Sequence, residues 1–256
     1  MIKLIASDLD GTLIRGKENK LNPELFDIIL KLKEKGIRFA AASGRPLASI
    51  LDLFDPVKND IFYITENGSL TICDGKTVGL GSIDRELALR IFQAAREQGS
   101  CEFFVSCNGK CYTESTNSQF LNYMHNVVHF NMEKVSSLDD ISDPFIKFAI
   151  YDPNGTEEIL PYFRERFGNE IEIVTSGNEW IDFLAPDANK GTGLEQVCKY
   201  MGISREECIV FGDQYNDIAM LEYAGSSYAM NTCAPGVEKY ADHQTDSVES
   251  VLKTLL

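Results

Sequence analysis

Two apolar runs, "IKLIASD" at residues 2–8 and "IRFAAAS" at residues 37–43, flank the amphipathic stretch "NPELFDIILKLKEKG". Continuous apolar runs of this length read as strands covered on both faces, and the stretch between them spaces its apolar residues by three and four. Asn22 stands at the cap of that helix, Pro23 at its first position and Gly36 just past its end, which is the start and stop chemistry a helix needs. The result is a β-α-β unit, which "PLASILDLF" and "IFYITENG" extend by a helix and a strand. Such alternation restricts the chain to a parallel sheet with helices on both faces.

The pattern changes after residue 80. "SIDRELALRIFQAAREQG" reads as a helix, "EFFVSCNGKCYTES" as a hairpin turning at "CNGK", and "FIKFAIYD", "TEEILPYFRERFG", "IEIVTSG" and "EWIDFLAP" as strand, helix, strand and strand. From residue 187 the first style resumes with "KGTGLEQVCKYMG" as a helix, "CIVFGD" as a strand, "NDIAMLEYAG" as a helix and "SYAM" as a strand, with helices expected from there to the end. The fold class is therefore α/β: a Rossmann-like parallel-sheet core of residues 1–82 and 187–256, interrupted by an α+β insert of residues 83–186 with an antiparallel sheet. The crossings near residues 80–84 and 184–189 are hinge candidates.

A net charge of −15 leaves no basic surface with which to neutralise a phosphate backbone, so nucleic acid and anionic membrane are not expected partners. No apolar window is long enough for a membrane helix, and a first strand starting at Ile2 leaves no room for a signal peptide, so a cytoplasmic location is expected. The seven cysteines then read as reduced thiols. Cys107 and Cys111 have the spacing of half a zinc site, but partner ligands are missing and they read as ordinary hairpin residues.

In an open parallel sheet, ligands bind at the carboxyl ends of the strands where strand order reverses. The strands here end in Asp8 and Asp10, in Ser43, Gly44 and Arg45, in Glu66, Asn67 and Gly68, and in Asp213 followed by Asn216 and Asp217, while Lys190 opens the helix after the insert. Carboxylates gathered in one crevice repel one another unless cations neutralise them. Oxygen ligands without histidine or cysteine suit magnesium, which is bound by a few carboxylates with water and phosphate. Phosphoryl transfer is the chemistry implied. Asp8 and Asp10, two apart on a strand, are expected on one face, so that one attacks phosphorus while the other moves protons.

With "DLDGTL", "AASGR", "NKGTGL" and "GDQYNDIAML" in that order, the whole chain resembles the haloacid dehalogenase superfamily, and within it the Cof-type phosphatases of subclass IIB, whose C2B-type cap is an insert that sets substrate choice. The resemblance implies that Asp8 is the nucleophile that becomes an aspartyl-phosphate and that Asp10 is the general acid and base, its backbone carbonyl facing magnesium. Ser43, Gly44 and Lys190 are then phosphate or substrate contacts, Asn67 and Asn216 are phosphate or loop-positioning contacts, and Arg45 either contacts substrate or pairs with a surface acid. Gly11 lets the backbone turn beside the phosphate, and the amides from Gly11 to Thr12 donate to it. Asp8, Asp10, Asp213 and Asp217 form the metal set, with Asp217 binding directly, through water, or as a support. The implied substrate is a small phosphorylated metabolite, a sugar phosphate or cofactor phosphate, and the implied assembly a monomer or weak homo-oligomer. Two departures stand at the far end: Thr232 follows Asn231 where alanine is usual, and "DSV" lacks a glycine common before the valine.

His125 and His129 would share a helical face but have no third ligand, and they read as structural or exposed. "ESTNSQFLNYMHNVVHF" reads as a lid over substrate or as the core of the insert. A phosphomutase would use the same nucleophile and return the phosphoryl group to a sugar. A receiver-type signalling module also gathers acids, a hydroxyl and a lysine, but its acceptor ends the third strand, where this chain has "ITENG".

Overall fold

The computed structural model describes residues 1–16, 20–107, 110–126, 130, 132–176 and 178–256. The chain divides into two compact units, Met1–Leu80 with Asn189–Leu256, and Gly81–Ala188.

The first unit runs β1 (Leu4–Ser7), α1 (Pro23–Glu34), β2 (Arg38–Ala42), α2 (Leu47–Leu53), β3 (Phe62–Thr65), β4 (Leu70–Cys73) and β5 (Lys76–Leu80) before the chain enters the second unit. That second unit holds α3 (Arg85–Gln98), β6 (Glu102–Cys107), β7 (Lys110–Thr113), α4 (Ser118–Asn126), β8 (Met132–Lys134), β9 (Lys147–Tyr151), α5 (Leu160–Phe167), β10 (Glu172–Ser176) and β11 (Trp180–Leu184). The chain then completes the first unit with α6 (Lys190–Met201), β12 (Cys208–Gly212), α7 (Ile218–Tyr223), β13 (Ser226–Met230), β14 (His243–Thr245) and α8 (Val248–Lys253).

An eight-stranded sheet in the order β14-β13-β12-β1-β2-β3-β4-β5 forms the first unit. Pairing is parallel from β14 through β3 and antiparallel from β3 to β5. The strands are apolar on both faces because helices cover both: Ile5 of β1 packs in the cluster with α1 and α8, while Leu4 and Ala6 pack in the cluster with α6 and α7. Helix α1 forms as its sequence requires, with the Asn22 side chain accepting from the Glu24 amide and Leu25, Ile28, Ile29 and Leu32 buried along one stripe.

Strand order reverses at β1, which has β2 on one side and β12 on the other, and the register pairs Ser7 with Phe211. Asp8 and Asp213, just past the ends of those strands, therefore meet at the same edge of the sheet.

Two elements differ from the sequence reading. Residues 70–80 form the edge hairpin β4–β5, turning at Asp74 and Gly75 with φ of 47° and 72°; Asp-Gly is the residue pair a tight hairpin turn demands, so the signal was present. Near the carboxyl end the chain forms β14 as well as helix. Three residues pairing on one side with β13 carry too little periodicity to mark a strand.

The second unit has a six-stranded sheet in the order β10-β11-β9-β6-β7-β8, antiparallel except for β7 beside β8. Val105, Phe148, Ile150, Ile181 and Phe183 point to one face, under Phe92 of α3 and Phe163 and Phe167 of α5. Phe120 and Met124 of α4 pack with Phe104 and Ala149 on the other, which makes this aromatic stretch part of the unit's core. The central residues of "CNGK" and His129 lie outside the described residues.

The loop after β3 is backbone-strained. Glu66, Asn67 and Gly68 take φ of 51°, 55° and 94°, and a Cβ on Gly68 would lie 2.0 Å from the carbonyl oxygen of Asn189, the N-cap of α6. Gly68→Ala is therefore expected to lower stability by about 1–3 kcal/mol and to reduce activity by displacing the start of α6. Urea melts and initial rates measure the two effects.

Candidate active site

Helix α6 brings Lys190 into the sheet's carboxyl edge. Asn189 caps it, its side chain accepting from the Thr192 amide while the Thr192 side chain accepts from the Asn189 amide. A lysine in the first turn faces the positive end of the helix dipole, an unfavourable place for it. It is held there by carboxylates: Lys190, 0% exposed, places Nζ 2.5 Å from Asp8 Oδ1 and 2.6 Å from Asp217 Oδ1.

Asp8 is anchored by its backbone, its amide donating to the Phe211 carbonyl at 2.9 Å. Its second oxygen, Oδ2, is buried and has no hydrogen-bond partner among the described residues. Asp213 accepts from the Thr12 hydroxyl at 2.9 Å and from Gln214 Nε2 at 3.3 Å. Asp217 is the most saturated of the three, because its Oδ2 takes the amides of Asp213 and Gln214 at 2.8 and 2.9 Å while Oδ1 takes Lys190. Ligand oxygens of Asp8, Asp213 and Asp217 lie within 4.8 Å of one another.

Two buried carboxylates, Asp8 and Asp217, share one ammonium, with a third, Asp213, beside them, and the deficit of positive charge shows at Asp8 and Asp213. Burial pushes the Asp8 carboxyl well above its ordinary range; Lys190 pulls it back, and Asp217 and Asp213 push it further up. Burial likewise raises Asp213, opposed by the Thr12 hydrogen bond and reinforced by Asp217. For Lys190 burial disfavours the charge, but Asp217 and Asp8 more than offset it and hold the side chain protonated.

Asp10 is placed differently from the sequence reading. Strand β1 ends at Ser7, so Asp10 lies three residues beyond it and outside the face alternation of the strand. Its carboxylate instead meets the guanidinium of Arg45, at 2.8 Å from Nε and 2.5 Å from Nη2. Only Asp8 of that pair belongs to the buried acidic cluster.

The loop amides are also differently used. Gly11 N donates to Ile14 O at 2.9 Å and Thr12 N to Leu9 O at 3.3 Å, because a tight turn satisfies its own donors first. Thr12 acts through its hydroxyl on Asp213, and a Cβ on Gly11 would lie 2.2 Å from Asp213 Oδ2, so Gly11 is where the loop passes against that carboxylate.

Ser43 is buried at the end of β2, its Oγ accepting from the Arg45 amide at 3.1 Å and its carbonyl from the Asn67 amide at 3.1 Å. Asn67 tolerates its left-handed backbone as asparagine can. Its Oδ1 accepts from Asn216 Nδ2 at 2.9 Å, and its buried Nδ2 has no partner among the described residues. A Cβ on Gly44 would come within 3.0 Å of Asn67 Oδ1, so glycine there lets the two loops close on each other. Two contributors were not singled out in the sequence. Gln214 supports Asp213, and Arg15 holds the nucleophile loop, donating to the Thr12 carbonyl at 2.9 Å and reaching Glu249 at 3.3 Å. The "QYND" capping pattern could have marked Gln214; nothing local marks Arg15.

All seven cysteines are thiols, Cys107 and Cys111 among them, and no helix among the described residues is long and apolar enough to cross a membrane.

A buried lysine shared between carboxylates stands here where a parallel sheet reverses its strand order, which is where open α/β sheets bind their ligands. The chain belongs to the haloacid dehalogenase-like hydrolases, whose sequence profile matches residues 5–255. It is 29% identical over 250 residues to the 5-amino-6-(5-phospho-D-ribitylamino)uracil phosphatase YbjI of Escherichia coli (strain K12), covering 96% of this chain and 91% of that one. To YcsE of Bacillus subtilis (strain 168), named as the same phosphatase, it is 28% identical over 250 residues, covering 96% and 90%. The crystal structure of a protein from Eubacterium rectale, 30% identical, superposes with a TM-score of 0.90 over 100% of this chain and 99% of that one. The protein is an enzyme of the phosphoric monoester hydrolase class.

Proposed function

We propose that the protein is a magnesium-dependent phosphatase that hydrolyses a small phosphorylated metabolite through an aspartyl-phosphate on Asp8. The observation that carries this reading is the state of Asp8: buried, fixed at one oxygen by Lys190, and unpartnered at the other among the described residues.

Asp8 attacks phosphorus as the bond to the leaving oxygen breaks, and Asp10 gives that oxygen a proton. Asp10 then takes a proton from water as the water oxygen attacks the phosphorus, which frees Asp8 and yields inorganic phosphate. Lys190 keeps the attacking carboxylate oriented and neutralises charge on the phosphoryl oxygens, which the Ser43 hydroxyl also contacts. The acidic cluster fits a hard divalent cation, since its donors are all oxygen and its charge exceeds what Lys190 balances. Asp8 and Asp213, with the backbone carbonyl of Asp10, would hold it, while Asp217 supports them through the amides and the lysine it already binds. Bound magnesium supplies positive charge against the carboxylates and the phosphoryl oxygens.

We rank 5-amino-6-(5-phospho-D-ribitylamino)uracil first among candidate substrates, ahead of sugar and cofactor phosphates, a choice supported by the names of the E. coli and B. subtilis relatives. A phosphate-release screen over these compounds, with magnesium and with chelator, tests the reading. Release that needs magnesium is expected; release undiminished in chelator, or none from any ester, overturns it.

Metal removal also has a stability signature. Asp8 and Asp213 have folded-state carboxyls raised above the unfolded ones. The metal-free folded state thus keeps protons that the unfolded chain has lost, and its stability falls as pH rises from about 4 through the folded values. The raised Lys190 acts only above about pH 10, where the unfolded lysine deprotonates. Magnesium is therefore expected to raise the melting temperature more at about pH 7.5 than at about pH 5. Equal shifts at both would contradict the assignment.

A further inference from the structure

Asp10 is 52% exposed at its side chain and has both oxygens on the fork of Arg45, which is 18% exposed. Arg45 is itself built into the site. Its amide donates to Ser43 Oγ at 3.1 Å, its carbonyl accepts from the Glu66 amide at 3.2 Å, and Nη1 is buried without a partner among the described residues. As a stabilising device the pair is weak, since an ion pair this open to water contributes at most about 1 kcal/mol. Geometry is what it provides. A bidentate fork occupies one acceptor position on each carboxylate oxygen and fixes the plane of the group, while the remaining positions stay open to a proton.

We propose that Arg45 is a positioning residue that aims the carboxyl of Asp10 at the leaving-group oxygen. Without it, an exposed aspartate just before a tight turn samples several rotamers, few of which reach that oxygen. Misplacement on this scale costs up to about 100-fold in rate. The inference rests on the reading of Asp10 as the general acid, and the test separates the two.

The discriminating quantity is the ratio of kcat/KM for an alkyl phosphomonoester to that for p-nitrophenyl phosphate. An alkoxide leaves only with a proton, whereas p-nitrophenolate departs with little help, and kcat/KM reports only the steps through formation of the phosphoryl-enzyme. In Arg45→Met the ratio is expected to fall by about 30-fold, because the alkyl ester loses far more than p-nitrophenyl phosphate does. Arg45→Lys, which keeps the charge but not the fork, recovers part of the loss. If Arg45 contacted the phosphoryl group, or merely held the loops together, both esters would lose equally and the ratio would not move, which overturns the proposal. Asp10→Asn is the companion variant. If it too leaves the ratio unchanged, the reading of Asp10 fails; if it lowers the ratio and Arg45→Met does not, the positioning role alone fails.

Discussion

Asp8→Asn is expected to give a folded protein that no longer turns over phosphate esters, with kcat down by at least about 10,000-fold. The carboxamide loses the oxygen charge needed to attack phosphorus, so the covalent step has no nucleophile, and water would have to attack the ester directly in a site shaped for something else. Folding should survive because asparagine fills the same volume and its side-chain carbonyl can still accept from Lys190, as Asp8 Oδ1 now does. The substitution also removes one of the two carboxylates sharing Lys190 and relieves its repulsion with Asp217 and Asp213, so the metal-free variant is expected to melt no lower than the parent. Phosphate release and a thermal melt on the same preparation check both halves. Activity within about 100-fold of the parent removes Asp8 as nucleophile.

Lys190→Met has the largest expected effect on stability. Methionine matches the length and apolar stem of lysine, but the charge that compensates Asp8 and Asp217 disappears from a position with no exposure. Breaking a buried ion pair by removing one partner costs about 3–5 kcal/mol, because the other partner is left charged and dry. Here two carboxylates lose their partner at once, and part of the cost is avoided if one of them takes up a proton. Destabilisation should therefore grow from about pH 5 to about pH 8, as that proton becomes harder to hold. Adding Asp8→Asn to Lys190→Met is expected to recover part of the lost stability and none of the activity. Urea unfolding of the two single variants and the double variant measures the coupling; strict additivity would mean that the two side chains do not compensate each other.

Several parts of the site were legible because their signals are local. The β-α-β start, the Asn22 cap with Pro23, and the strand ends carrying Ser43, Asn67 and Asp213 depend on spacing within a short window, and the fold has them in place. Lys190 stood out only through its place in a motif order, since a lysine opening a helix is most often a solvated one. Local reasoning failed where the chain leaves regular structure. The i, i+2 spacing of Asp8 and Asp10 reads as one strand face, but the strand stops at Ser7, before either residue. The Gly11 and Thr12 amides were assigned to a phosphate, whereas the turn they form consumes them.

Residue types, motif order and helix and strand periodicity sufficed to determine the kind of chain this is: a parallel sheet with an insert, bearing acids, a hydroxyl and a lysine at its carboxyl edge. The side chains themselves carry that chemistry, and each signal is complete within a few residues. Tertiary structure decided which acids act together. Asp8 and Lys190 lie 182 positions apart, yet one hydrogen bond joins them. Asp8, Asp213 and Asp217 became a buried cluster in need of positive charge, while Asp10, only two residues from Asp8, was set apart on Arg45. Desolvation and charge compensation depend on what surrounds a group in space, and spacing along the chain does not encode those surroundings.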